Sequence, residues 1–370
     1  MERSKVYFTP MANGMKESMP AKLRRLALAA GIGDIDFENK FTAIKIHFGE
    51  EGNVAYLRHN YAREIVKIVK EKGGRVFLTD CNTLYVGSRT NALDHLDCAA
   101  IHGYNPLTVG CNVIIADGLK GTDETLVPID GEYVKEAKIG TAVMDADIII
   151  SLTHFKAHEE AGIGGALKNI GMGCGSRAGK MEMHCSGAPA ADPDLCIGCG
   201  ICADNCGQDA IEIVDGKAVV TERCAGCGRC IGRCPMNAMH PVHYDAAELL
   251  SKRISEYAWA VVKDRPAFHI ALAIDISPFC DCHSINDVPI VPDIGMFASF
   301  DPVALDQACA DAVNAQRPTP DSFLTGKHSH RHHDHDDHFI AMHPDAEWEA
   351  GLEHAEKLGM GTRSYELVEI

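Results

Sequence analysis

Along the first 190 residues, short apolar runs rich in β-branched side chains alternate with stretches of helical period. The runs at 5–9, 41–48, 75–79, 112–116 and 147–152 have the composition of buried strands. Between the second and third, Leu57, Tyr61, Ile65, Ile68 and Val69 recur at steps of four, four, three and one, which is one face of a helix. Gly73-Gly74 supplies its stop before the next strand. Strand, helix and strand in this order predict parallel pairing in a wound sheet. The rhythm breaks between about 193 and 239, then resumes with a helix from about 246 and a buried strand at 268–274. Asp301-Pro302 opens another helix, with Asp as N-cap and Pro in the first turn, continued by Ala304, Leu305, Ala308 and Val313.

The interruption is a cysteine repeat. Cys196, Cys199, Cys202 and Cys206 make C-x2-C-x2-C-x3-C; Cys224, Cys227, Cys230 and Cys234 repeat that spacing 28 residues on, and Pro235 follows. Beyond the cysteines, Asp209-Ala210-Ile211 answers Asn237-Ala238-Met239, and Asp215-Gly216 between the halves is a hairpin-turn pair. Three thiolates at this spacing wrap three corners of a cubane cluster, while the fourth cysteine of each run reaches the other cluster. The spacing predicts two [4Fe-4S] clusters: cluster one on Cys196, Cys199, Cys202 and Cys234, cluster two on Cys206, Cys224, Cys227 and Cys230. The competing reading is a pair of structural zinc sites, but zinc knuckles use isolated C-x2-C pairs rather than four-cysteine runs ending in C-P. Over about 45 residues the block resembles the bacterial two-[4Fe-4S] ferredoxin, departing at Gly207, where that pattern has proline.

The expected architecture is therefore α/β: a wound, mostly parallel sheet body with an inserted small α+β ferredoxin-like two-cluster domain. Its parts are 1–190 (first part of the body), 191–242 (the two-cluster insert) and 243–370 (second part of the body). Two separate domains flanking a linker domain is the alternative.

Composition narrows the function. The 370 residues carry 35 Lys plus Arg against 52 Asp plus Glu, a formal charge of −17, which argues against a nucleic-acid partner. No apolar run approaches the ~18 residues of a membrane span, and the N-terminus lacks the apolar core of a signal peptide. Sixteen cysteines in a chain of this length without an export signal read as metal ligands, and a cytoplasmic, oxygen-poor setting is expected.

The densest chemistry outside the cysteines lies just past the apolar run ending at Leu152. There His154, Lys156, His158, Lys168, Arg177, Lys180 and His184 are interleaved with glycines including Gly162, Gly164 and Gly165. In an open α/β sheet, ligands bind beyond the carboxyl ends of strands, so the position suits a site. The glycines would let backbone N–H groups approach an anion, although Gly179-Lys180-Met181 is not a Walker A ending. The plain alternative is a tight strand-to-helix turn with histidines capping it. Read functionally, His154, His158, Lys168 and His184 are candidate catalytic groups. Gly162, Gly164, Gly165, Arg177 and Lys180 are candidates for holding an anionic cofactor or small molecule. Asp80, Cys280 and Cys282 are candidates for an additional metal, with His283, Cys174, Cys185 and His184 as further potential ligands. His154, His158, Lys168, Arg177, Lys180 and His184 are expected to converge on one pocket, with Asp80, Cys280 and Cys282 on its rim, because the strands ending near Phe48, Thr79 and Leu152 are each followed by ionisable residues. The tract 327–338 holds six histidines and three aspartates, a composition that binds Zn²⁺ or Ni²⁺ or forms a polar loop with incidental metal affinity.

Taken together, these motifs resemble the uncharacterised iron–sulfur-centre proteins of domain-of-unknown-function family 362. The resemblance rests on Lys45-Ile-His47-Phe-Gly-Glu50, Thr79-Asp80-Cys81-Asn82-Thr83, the segment 154–184, Asp275-Ile-Ser-Pro-Phe-Cys280-Asp281-Cys282, and Asp293-Ile-Gly295 through Asp306. It spans nearly the whole chain, implies a ferredoxin insert and carries no established activity. The stretch from Asp145 through Lys168 and on to His184, about 40 residues, is also similar to the nickel-pincer lactate racemase superfamily. That second resemblance implies a proton-transferring role for His158, a cofactor-holding lysine at Lys168 and a nickel ligand at His184, but Met172-Gly173 departs from the racemase turn.

Three functions remain open. One is an iron–sulfur redox enzyme of anaerobic metabolism, fed by a redox partner protein or low-potential electron donor and acting on an anionic small molecule. The second is a non-enzymatic electron carrier or cofactor-maturation protein. The third is a pincer-type racemase or isomerase with clusters in a supporting role.

Overall fold

The computed structural model describes residues 3–12, 14–85, 87–185, 188–224, 226–241, 246–326 and 337–370. Eight strands form the central sheet: β1 (Ser4–Pro10), β2 (Phe41–Lys45), β3 (Arg75–Asp80), β4 (Asn112–Ile115), β5 (Ile148–His154), β6 (Ala267–Ala273), β7 (Gly295–Ser299) and β8 (Tyr365–Glu369). Their order is β8-β1-β7-β6-β5-β2-β3-β4, and every neighbouring pair is parallel except those made by β7. The fold is thus the expected α/β class with a mostly parallel sheet.

Both faces of the sheet are covered. On one, Ala43, Phe77, Ile149 and Ala271 pack against α4 (Ala166–Cys174), α6 (Ala247–Val262) and α7 (Pro302–Asn314). On the other, Ile44, Leu78, Ile150 and Leu272 pack against α1 (Met19–Ala29), α2 (His59–Glu71) and α3 (Ala92–Ile101). Burial on both faces is why these strands read as continuous apolar runs rather than alternating ones. The helix signals resolve as anticipated, except that Leu57 lies ahead of α2, whose N-cap is Arg58. Tyr61, Ile65, Ile68 and Val69 form the buried face of α2, and Gly73 follows it at φ +80°. Asp301 caps α7 by accepting from the Val303 and Ala304 N–H groups at 2.9 Å each.

Two strand ends depart from the expected positions. β2 stops at Lys45, so His47 lies in the loop beyond it, whereas β5 extends through His154. β7 was not anticipated; its five residues are buried on both sides and too short to show a period. It runs antiparallel between β1 and β6, the one reversal in the sheet.

The cysteine block begins and ends on a short antiparallel pair, Pro189–Ala191 with Met239–Pro241. Inside it, Ile211–Val214 and Lys217–Val220 form a hairpin around Asp215 and Gly216, both at positive φ (49° and 75°), the geometry of a type I′ turn. The 28-residue repeat persists in the backbone: Gly198 and Gly226 (φ 65° and 68°), Gly200 and Gly228 (78° and 63°), and Asp209 and Asn237 (47° and 52°) turn left-handed at matching places. Among the described residues, no helix is long and apolar enough to cross a membrane.

Candidate functional site

The chain runs outward from β2 to β3 and β4, then returns to place β5 on the other side of β2. The crevice beyond the carboxyl ends of β2 and β5 is therefore the topological switch point, where ligands bind in open α/β sheets. A cavity of about 460 Å³ opens there. Lys45 from the end of β2, Asp80 from β3, and Thr153 and His154 from β5 form its floor. Lys168, Asn169 and Met172 on α4 and Lys180 and His184 on α5 (Arg177–His184) form one wall. Cys280, Cys282 and His283, in the loop after β6, form another.

Most of the charges lining the cavity are paired. Lys45 Nζ lies 3.0 Å from Asp80 Oδ1 and donates to Asn169 Oδ1 at 2.9 Å. Burial alone would raise the Asp80 pKa, but Lys45, then His47, His95 and Arg89, hold it well below the usual carboxylate range. Arg89 Nε donates to Glu50 Oε2 at 2.9 Å, and its Nη1 lies 3.1 Å from His47 Nε2. Burial and the Arg89 guanidinium together push His47 well below the ordinary imidazole range. His184 Nδ1 faces Glu160 Oε2 at 3.1 Å, and His283 Nε2 faces Glu159 Oε1 at 2.7 Å. Lys168 and Lys180 are different: among the described residues, neither has a carboxylate partner. Lys180 Nζ donates to the Gly175 carbonyl at 2.6 Å, and Lys168 Nζ approaches Cys280 Sγ at 3.9 Å. Arg89 Nη2 is buried and, among the described residues, lacks a hydrogen-bond acceptor.

His154, His158, Lys168, Lys180, His184, Asp80, Cys280 and Cys282 all line this one cavity, but their settings differ. Both ring nitrogens of His154 are committed, Nδ1 to Asp281 Oδ2 and Nε2 to the Ile274 carbonyl, each at 2.8 Å. That leaves no nitrogen to exchange a proton with a ligand, so His154 anchors the loop after β6. Lys156, buried beside it, donates to the same Asp281 oxygen at 2.8 Å. His158 Nδ1 accepts from the Glu160 and Ala161 N–H groups at 3.1 Å each, which leaves the proton on Nε2.

Around the Cys280-Asp281-Cys282 turn, His158, Cys280 and Cys282 offer ligand atoms all within 4.8 Å of one another, and Glu159, Cys282 and His283 do the same. Both groups could hold a metal ion. The partner to the cysteine pair is thus His158 rather than Cys174, Cys185 or His184, and Asp80 is tied to Lys45 instead. A hydrogen bond from the Cys282 thiol, together with Lys168 and His158, moves the Cys280 pKa well below the ordinary thiol value despite burial.

Three anticipated anion-holding groups are used differently. Asp306, on α7, accepts from the Ala166 and Leu167 N–H groups at 2.6 and 2.9 Å, so the N-terminus of α4 is already capped by the chain's own carboxylate. Gly165 is glycine because that carboxylate fills the place of a Cβ, and Gly162, at φ +73°, packs on Trp348. Gly164 and Gly165 line the cavity as backbone, whereas Gly162 does not. Arg177 also lies outside it; its Nη2 donates to the Thr90 carbonyl, and its guanidinium packs on Gly232 at the join with the cysteine block. Sequence reasoning did not single out Arg89, which is distant along the chain from the histidine segment, or Asn169, which carries no charge to mark it, and it met Glu50 only as the end of a family motif.

In the cysteine block, Cys196, Cys199, Cys202 and Cys234 line a second, small cavity. Three come from one run and the last from the other. The repeat extends to hydrogen bonds: Cys206 Sγ accepts from the Ala210 N–H at 3.3 Å, and Cys234 Sγ from the Ala238 N–H at 3.2 Å. The block also touches the large cavity. Asn237 lines it, and Leu84, which lines it too, packs on Gly228 beside Arg177 and Met181. Residues 327–336 of the histidine-rich tract lie outside the described residues; at its end, His338 Nε2 faces the Gln316 carbonyl at 2.8 Å.

A wound α/β sheet with a polar cavity at its switch point and a cysteine repeat against that cavity defines the class of protein. The family described as "Domain of unknown function (DUF362)" matches residues 42–311, and the chain belongs to it. Among solved structures, the lactate racemase apoprotein from Thermoanaerobacterium thermosaccharolyticum is 12% identical with a TM-score of 0.42, over 73% of this chain and 51% of its own. A protein from Thermotoga maritima is 12% identical with a TM-score of 0.40, over 80% of this chain and 58% of its own. The chain thus spans less than two thirds of the length of either. No curated protein matches it.

Proposed function

We propose that the chain is an iron–sulfur redox enzyme in which two [4Fe-4S] clusters, held by an inserted domain at 191–242, relay electrons to the α/β cavity, where an anionic small molecule reacts. The donor set fits the clusters. Cys196, Cys199, Cys202 and Cys234 would hold one, and Cys206, Cys224, Cys227 and Cys230 the other; thiolates at this spacing are cubane ligands. The N–H groups of Ala210 and Ala238 donate to the sulfurs of Cys206 and Cys234, the kind of hydrogen bond that tunes a cluster's potential. When bound, the clusters supply one-electron transfer.

The observation that carries the reading is the shared wall: Asn237 and Leu84 join the cysteine repeat to a cavity rich in ionisable groups. A carrier with no reaction of its own would not need that cavity. Within it, Lys168 and Lys180 offer positive charge to a carboxylate or phosphate, and Arg89 Nη2, without an acceptor among the described residues, adds a donor, because a buried donor without an acceptor costs about 1–3 kcal/mol until one arrives. His158, with its proton on Nε2, is placed to donate a hydrogen bond to the bound molecule.

Thermal unfolding of the anaerobic protein with oxalate, inorganic phosphate or pyrophosphate tests this. At least one should raise the melting temperature, and Lys168→Met and Lys180→Met should each weaken the response about 10-fold or more. No response to any of them would favour the electron-carrier reading.

A further inference from the structure

Cys280 begins a tight turn closed by the His283 N–H donating to the Cys280 carbonyl at 3.1 Å. The turn brings the two sulfurs of Cys280 and Cys282 within 4.8 Å on the cavity side. It is held from behind: Asp281, between them, is fully buried and receives His154 and Lys156, while its carbonyl accepts from the Glu50 N–H at 2.9 Å. Two facts about the surroundings decide between a metal and a dithiol. His158 Nδ1 already accepts two backbone N–H groups, so its Nε2 carries a proton and acts as a donor. A metal-bound imidazole has the opposite arrangement, donating from the nitrogen remote from the metal. Lys168 Nζ, 3.9 Å from Cys280 Sγ, adds a positive charge that favours a thiolate and repels a divalent cation.

We propose that Cys280 and Cys282 are a redox-active dithiol that cycles with a Cys280–Cys282 disulfide and serves a small, negatively charged disulfide substrate. The proposal rests on the reading of the cysteine repeat as two clusters, which are its electron source. The Cys280 thiolate attacks one substrate sulfur; the substrate S–S bond breaks and one thiolate leaves. The Cys282 sulfur then attacks the Cys280 sulfur of the mixed disulfide, and the second substrate thiol departs with the Cys282 proton. Two electrons and one proton would return the protein disulfide to the Cys280 thiolate and Cys282 thiol, and the two clusters, when bound, would supply the electrons. The cluster count matches the electron count. Lys180 and Arg89, both lining the cavity, would receive the negative groups of the substrate.

The test uses the anaerobic holoprotein and 5,5′-dithiobis(2-nitrobenzoate), an anionic disulfide. A rapid release of two thionitrobenzoate ions per chain is expected, with mass spectrometry placing a Cys280–Cys282 disulfide in the product. Cys280→Ser should abolish the rapid phase, and Cys282→Ser should stop at the mixed disulfide after one. Reduction by dithionite should restore both thiols, and Cys230→Ser, which disturbs cluster two, should slow that step at least 10-fold. Absence of the rapid phase in a protein with its full iron content would overturn the proposal. So would one extra zinc or nickel per chain that disappears in Cys282→Ser while iron is unchanged. Formation of the disulfide in a protein that binds no iron would overturn the cluster reading and leave the dithiol standing.

Discussion

Replacing Asp80 by asparagine isolates the electrostatics of the cavity floor. Asp80 and Lys45 are 3% and 1% exposed, so their 3.0 Å ion pair is scarcely solvated. The amide oxygen of the Asp80→Asn variant can still accept from the Cys81 N–H, as Asp80 Oδ1 does at 2.9 Å, but Lys45 would keep its charge with neutral amide oxygens, that of Asn169 among them, as its partners. Removing one member of a buried pair costs about 3–5 kcal/mol, because the remaining charge stays desolvated. Denaturant unfolding of the anaerobic protein at pH 7 should show a loss of that size. The double variant Lys45→Met/Asp80→Asn should recover most of it, since neither charge is left behind. The pH dependence has a definite sign. The native Asp80 pKa is lowered, so its contribution is full above the unfolded carboxylate value of about 4 and fades as the pH falls below that. The gap between wild type and Asp80→Asn should therefore narrow in acid. A single variant within about 1 kcal/mol of wild type, or a double variant no more stable than the single, would refute the reasoning.

Asp117 should show the opposite pH trend. Burial raises its pKa to about 6, against the pull of Lys180, the Asn82 hydrogen bond and Arg177, so the native state binds the extra proton and stability falls as the pH rises from about 4 to about 6. That slope amounts to about 3 kcal/mol, and Asp117→Asn, which keeps an acceptor for Asn82, should flatten it in denaturation curves across this range. For the proposed crossed ligand sets, Cys234→Ser should damage the cluster assigned to Cys196, Cys199 and Cys202; paramagnetic resonance showing the other cluster lost instead would contradict the assignment.

The parts of the fold legible in the sequence are those set by local chemistry. The α2 stripe, the Asp301-Pro302 cap and the Asp215-Gly216 turn each depend on a few adjacent residues, and each is found where anticipated. The location of the cavity followed from strand ends, because ionisable residues after buried runs mark the carboxyl edge of a parallel sheet. What could not be read depends on residues far apart in the chain. Asp306 caps α4 from 140 positions away, turning an apparent anion cradle into an internal contact. Arg89 enters the cavity through Glu50 and His47, and no local pattern distinguishes it from a surface arginine. Likewise, the partners of His154, Asp281 and Ile274, arrive only when β6 lies beside β5. The short β7, buried on both sides, has neither the alternation nor the length that marks a strand.

The central claim, that the cysteine repeat holds two cubane clusters beside a working cavity, is tested most directly by iron and acid-labile sulfide analysis of anaerobically purified protein. About eight iron and about eight sulfide per chain are expected, with paramagnetic signals of two interacting clusters on reduction. Zinc in place of iron, without sulfide, would contradict it.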